Sequence, residues 1–136
     1  MEGVSKEYYE DEDAYTKVLY WFFAYPTKEV SLNDLVEAVN ISKTSANKAV
    51  NRLAEEGFLH VKPLGRLWRI TCDQEHPYNI THKVPFNLQM VYRAGILEEI
   101  RKHIPNPRAI VLFGSYRKGD DTEGSDIDLA AEVMDD

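Results

Sequence analysis

Ile110-Val-Leu-Phe-Gly-Ser-Tyr-Arg-Lys-Gly-Asp-Asp-Thr-Glu-Gly-Ser-Asp-Ile-Asp-Leu129 decides how the rest of the chain is read. An apolar run from Ala109 to Phe113 stops at Gly114-Ser115, a polar loop follows, and Asp126-Ile127-Asp128-Leu129 then alternates charge with apolar bulk. Period two is the period of a strand, so Asp126 and Asp128 are expected on one face, with Ile127 and Leu129 on the other. Two carboxylates on one face repel unless a cation lies between them. Mg2+ takes carboxylate oxygens and keeps positions open for substrate phosphates. Gly114 lets the backbone come close to a ligand. Ser115 offers a hydroxyl and, with its neighbours, backbone N–H groups at a predicted helix start, where phosphate oxygens bind readily. A phosphate loop beside a carboxylate pair points to nucleotidyl transfer.

Gly114-Ser115, a spacer and Asp126-x-Asp128 resemble the signature of the DNA polymerase β-like nucleotidyltransferase superfamily, most closely its minimal nucleotidyltransferases. The flanks fit: apolar residues before Gly114, Gly119-Asp120 in the loop and Ser125 before the pair. Arg117-Lys118 stands where minimal members commonly have Ala-Arg. The resemblance covers the last third or so of the chain. It implies a site with two Mg2+ ions, with Asp126 and Asp128 as catalytic metal ligands and Gly114 with Ser115 holding the β- and γ-phosphates of a nucleoside triphosphate. Lys118 and Arg117 are expected to add positive charge there. One departure bears on activity. The family carries a third carboxylate on a later strand, and Asp135 and Asp136 follow Asp128 too closely to return on another strand. Glu132 shares the face of Asp128 but stands roughly 13 Å along it. The third ligand is therefore expected to be missing, either because the native chain runs on past Asp136 or because the site is degenerate. Whether the chain is an enzyme stays open on this reading.

A length of 136 residues allows one domain or two small ones. No apolar run approaches the roughly twenty residues that span a bilayer, and the acidic opening is no signal peptide. Cys72 is the only cysteine, which excludes a disulfide framework and a cysteine-based metal site. A cytoplasmic protein with no membrane association is expected. The net charge of −7 disfavours nucleic acid as a partner, but the charge is uneven. Glu2, Glu7, Glu10, Asp11, Glu12 and Asp13 crowd the start, whereas Lys43, Lys48, Arg52, Lys62, Arg66 and Arg69 face only Glu55 and Glu56. A local basic patch matters more for phosphate contact than the total.

Upstream, Tyr15, Val18, Leu19, Phe22 and Phe23 fall at helical spacing as a core stripe, and Pro26 stops that helix. Ser31 with Asp34 resembles a capping box. Ser42 caps a helix over 43–56 whose Ala46, Ala49, Val50 and Leu53 share one face, and Gly57 follows. Strands over 58–61 and 67–71 flank a basic turn over 62–66. This ordered combination resembles a winged helix-turn-helix domain of prokaryotic regulators. The resemblance puts Lys43, Thr44, Asn47, Lys48 and Asn51 on a DNA-facing helix side, with Arg66 at a wing tip. Lysine suits phosphate and asparagine pairs with adenine edges.

The expected fold class is thus α+β: a winged helix-turn-helix domain over 1–75, a connector over 76–85 and a partial nucleotidyltransferase α/β unit over 86–136. His76 and His82 are expected as surface loop histidines. A single helix is expected over 86–104, with Met90, Val91, Ala94, Leu97, Ile100 and Ile104 as its apolar stripe. Three functions compete. The first is a DNA-guided nucleotidyltransferase using Mg2+ and a nucleoside triphosphate. The second is a winged-helix transcriptional regulator with an inactive transferase remnant. The third is an antitoxin-like protein with a helical partner of the HEPN type, as minimal nucleotidyltransferases often have. Oligomerisation is compatible with each.

Overall fold

The computed structural model describes the backbone of residues 6–134 and the side chains of residues 13–134. The acidic opening up to residue 5, and Asp135 and Asp136, lie outside the described residues. The fold is mixed α+β, with small antiparallel sheets, and the chain divides into two compact units at His76–Pro77.

The first unit starts with α1 (Lys6–Ala24), which ends two residues before Pro26. Proline has no N–H to continue the ladder and disfavours helical backbone in the residue before it. α2 (Leu32–Val39) opens on a complete capping box: Asp34 N–H donates to Ser31 Oγ at 3.1 Å, and Ser31 N–H donates to Asp34 Oδ2 at 2.9 Å. It closes on Asn40 in left-handed backbone. α3 (Lys43–Glu55) is capped by Ser42, whose Oγ accepts from Ser45 N–H. The antiparallel pair β1 (Leu59–Leu64) and β2 (Leu67–Cys72) follows. Its strands run longer than the sequence indicated, so the turn narrows to Gly65-Arg66, with Gly65 at the positive φ that a two-residue hairpin turn needs. Val30 bridges Ile70.

One apolar core joins these elements. Val18, Phe22, Leu35, Ala46, Val50, Leu53, Phe58 and Ile70 are wholly buried. Each large member removed from water contributes on the order of 2 kcal/mol. The helical stripes read from the sequence are therefore the faces that meet: α1 packs on α3, α2 on α3, and α3 on β1.

The second unit departs from expectation in its helices. α4 (Tyr78–Thr81) and α5 (Lys83–Arg93) occupy most of the stretch read as a connector. Pro85 sits in the first turn of α5, where a missing N–H costs nothing. The helix expected over 86–104 is broken: Gly95 takes φ +72 and α6 (Ile96–His103) starts afresh. Ala94 is exposed as a result. Glu98 and Glu99 in the first turn of α6, and Arg101, Lys102 and His103 in its last, complement its dipole. His82 lies between α4 and α5, while His76 is half-buried, with Nε2 donating to Glu56 O at 2.9 Å and its ring against Phe58.

β3 (Ala109–Phe113) pairs antiparallel with β4 (Asp128–Glu132), Phe113 opposite Asp128 and Ala109 opposite Glu132. Directly opposed residues share a face. Ile110, Leu112 and Leu129 turn toward Leu88, Val91 and Leu97 around a hollow of about 290 Å3. Val111, Phe113, Asp128, Ala130 and Glu132 form the other face, where Val111 and Phe113 stay about half exposed.

Candidate functional site

Between the strands, Gly114 ends β3 and α7 (Ser115–Lys118) makes a single helical turn. Lys118 N–H donates to Gly114 O at 3.2 Å and Gly119 N–H to Ser115 O at 3.0 Å. The amides of Ser115, Tyr116 and Arg117 precede those first bonds and have no acceptor within the turn. Lys118 and Arg117 are exposed at its end. Gly114 takes φ +79 and ψ −162, backbone that only glycine adopts without strain. A side chain at 114 would also run into the carboxylate of Asp128, which is half-buried. The site is therefore a single helical turn with one carboxylate folded over the glycine that precedes it.

Asp128 is the first residue of β4, and Asp126 lies two residues earlier, exposed and ahead of the strand. Glu132 is at the far end of β4, opposite Ala109, with Oε1 3.7 Å from Arg108 Nη1. The missing Cβ of Gly114 makes room for the Asp128 carboxylate, and its partner in sequence is a second hard oxygen donor open to solvent. That donor set suits Mg2+, which Asp126 and Asp128 would hold. Among the described residues no group of three or more His, Cys, Asp or Glu gathers within range of one metal ion.

Residues 94–136 match the family model described as the nucleotidyltransferase domain. The match takes in Gly114, Ser115, Asp126 and Asp128 together, and nucleotide transfer is the general activity it indicates for this segment. Nucleotidyltransferase domains generally use Mg2+. No curated protein and no solved structure matched the chain.

Sequence reading missed what holds the Gly114–Lys118 turn in place. Lys83, Asn87 and Asp121 are buried, with Asn79 beside them. Lys83 Nζ donates to Asp121 O at 2.7 Å and stands 3.5 Å from Asp121 Oδ1. Asn87 Nδ2 donates to Asp121 Oδ1 at 2.8 Å and to Tyr116 O at 2.9 Å. A side chain on Gly119 would meet the backbone carbonyl of Asn79. Burial, and after it the negative charge of Asp121, push the Tyr116 hydroxyl above its ordinary pKa, so the phenol stays protonated near neutrality. The available signal was the four-residue spacing of Asn79, Lys83 and Asn87, a polar stripe at helical period.

In the first unit, Lys43, Thr44, Lys48 and Asn51 are exposed on α3 and Asn47 is half-buried. Asn51 Nδ2 donates to Asn47 Oδ1 at 2.8 Å. Lys43, Asn47 and Arg66 line one hollow of about 240 Å3 with Ser31, Asn33 and Trp68. Thr44, Lys48 and Asn51 lie outside that lining. No described helix is long and apolar enough to cross a membrane.

Proposed function

We propose that the 77–136 unit binds a nucleoside triphosphate with Mg2+ at the Gly114–Lys118 turn, and that Asp126 and Asp128 hold the metal. The observation that carries this is the fit of the Asp128 carboxylate against the bare Cα of Gly114, beside the Ser115 turn, inside the segment matched to the nucleotidyltransferase domain. Ser115 Oγ and the amides of Ser115, Tyr116 and Arg117 take phosphate oxygens, and Lys118 with Arg117 offsets their charge. Asp126 and Asp128 would hold Mg2+, which when bound would supply positive charge for the triphosphate and Lewis acidity for an acceptor hydroxyl. Glu132 is paired with Arg108 at the other end of its strand, so Asp126 and Asp128 support binding more strongly than turnover.

The first unit we read as a winged helix-turn-helix that docks on duplex DNA. The hollow that joins Lys43 and Asn47 of α3 to Arg66 of the hairpin supports this, since it puts two cations and an amide on one concave surface.

Calorimetry of the full chain with ATP, with and without Mg2+, tests the nucleotide reading. Affinity is expected to rise with Mg2+ in the native chain and to lose that gain in Asp126→Asn. Nucleotide affinity indifferent to both the metal and Asp126→Asn would sink the assignment.

A further inference from the structure

We infer that Lys83, Asn87 and Asp121 are positioning residues for nucleotide binding: Lys83 and Asn87 of α5 grip the Gly114–Asp121 loop through two of its backbone carbonyls and the Asp121 carboxylate, and so fix the phosphate-facing turn. The inference rests on reading that turn as the nucleotide site. Among the described buried side chains of the 77–136 unit, Val91 is the apolar one, and Asn79, Lys83, Asn87 and Asp121 are polar or charged. Burying a charged pair costs desolvation that its attraction only partly repays, and an apolar replacement of equal volume is often as stable. Such a cluster is therefore a poor way to gain stability alone.

Its geometry is suited to holding a loop. Asn87 Nδ2 bonds Tyr116 O, inside α7, and Asp121 Oδ1, at the loop's far end. Lys83 Nζ donates to Asp121 O and also stands 3.5 Å from Asp121 Oδ1, the oxygen that Asn87 bonds. The loop is thus fastened at two points five residues apart, on either side of Gly119, and no buried side-chain polar atom among the described residues is left unpaired. Ser115 and the turn's first amides are then set in place before nucleotide arrives, and less ordering is spent on binding.

The test compares two variants of the full chain. Asn87→Leu removes both loop bonds at similar volume. Lys83→Gln with Asp121→Asn removes the charges and gives up the Lys83 bond to Asp121 O, the glutamine amide being one bond shorter, but keeps the acceptors of both Asn87 bonds. Mg·ATP affinity is read by calorimetry, and hydrogen exchange is followed at the Lys118 and Gly119 amides. Asn87→Leu is expected to weaken Mg·ATP about tenfold, one hydrogen bond's worth of positioning, and to speed both amides. The neutral double variant is expected to fall between the native chain and Asn87→Leu, since it loses one of the three loop bonds. A lower melting temperature in Asn87→Leu with unchanged affinity and unchanged exchange would mean a merely structural cluster and overturn the inference. Should Asn87→Leu fail to fold, Asn87→Ser, too short to reach both acceptors, repeats the comparison. If the native chain itself binds no Mg·ATP, the nucleotide reading fails, and the positioning role falls with it. Unchanged exchange then further shows that the cluster does not hold the loop.

Discussion

Gly114 and Asp128 share one volume: the side chain that position 114 lacks is the space that the Asp128 carboxylate fills, with Cγ 3.3 Å from where a Cβ would stand. Gly119 shows a related arrangement with a different neighbour, the backbone carbonyl of Asn79. A carboxylate at the end of a side chain can swing away, whereas a backbone carbonyl cannot. Gly114→Ala is therefore expected to fold, at about 1–3 kcal/mol for the strained backbone, while displacing Asp128 and abolishing the Mg2+-dependent part of nucleotide affinity. Gly119→Ala is expected to cost more, about 2–4 kcal/mol from overpacking and left-handed backbone together. Thermal denaturation gives the order of the two stabilities. A larger loss at Gly114 would contradict it.

Acid should act on the first unit through α2. The Ser31 backbone N–H, and after it the Ser31 side chain, hold the Asp34 carboxyl below its ordinary pKa. A carboxyl lowered by folding adds stability that is present above the unfolded value, about 4, and lost as pH falls through the folded one. Asp34→Asn should flatten the dependence of stability on pH below about 4 and leave it unchanged near neutrality. Ser31→Ala should cost about 1 kcal/mol at neutral pH. Denaturant titrations from pH 2 to 7 check both; an unaltered acid slope in Asp34→Asn counts against the box as the cause.

The first unit was legible because its signals are local. Pro26, Ser31 with Asp34, and Ser42 mark helix ends within a few residues of where they act, and the stripes of α1 and α3 are the faces that are buried. The second unit hid its features in two ways. Pro85 and His82 made 76–85 look like loop, though proline fits a first helical turn and α5 starts at Lys83. Gly95 was absorbed into a continuous apolar period that its left-handed backbone breaks. The Lys83–Asp121 contact spans 38 residues, and nothing local in the sequence announces a pairing at that separation. Of the proposed nucleotide site, Gly114, Ser115 and Asp128 were readable as a motif. That Asp128 needs the bare glycine became visible only with β3 and β4 in register.

Lys48 offers the cleanest test of the DNA reading, because it is exposed on α3 and lies outside the core stripe. If it meets a phosphate, Lys48→Glu weakens binding to every duplex alike and lowers the slope of log affinity against log salt by about one. Arg66→Ala at the hairpin tip is expected to act in the same direction. Anisotropy titrations with random-sequence duplexes at several salt concentrations measure this. Equal affinity for native and Lys48→Glu chains would favour a protein partner for this surface.

Ser115 and Asp128 should fail differently, and the difference separates phosphate holding from metal holding. Ser115→Ala removes a hydroxyl from the turn but leaves both carboxylates and the amides of Tyr116 and Arg117. Nucleotide affinity is expected to drop by roughly 1 kcal/mol, one neutral hydrogen bond, to a similar degree with and without Mg2+. Asp128→Asn keeps the shape beside Gly114 and removes a charge. It should leave metal-free nucleotide binding equal or slightly tighter, since one repulsion of the phosphates is gone, and lose most of the Mg2+ enhancement. In one experiment, ATP titrated with Mg2+ and then with excess chelator, Ser115→Ala thus lowers both arms and Asp128→Asn only the Mg2+ arm. If both lower affinity equally in the two arms, Asp128 acts on the phosphate turn and not on a metal.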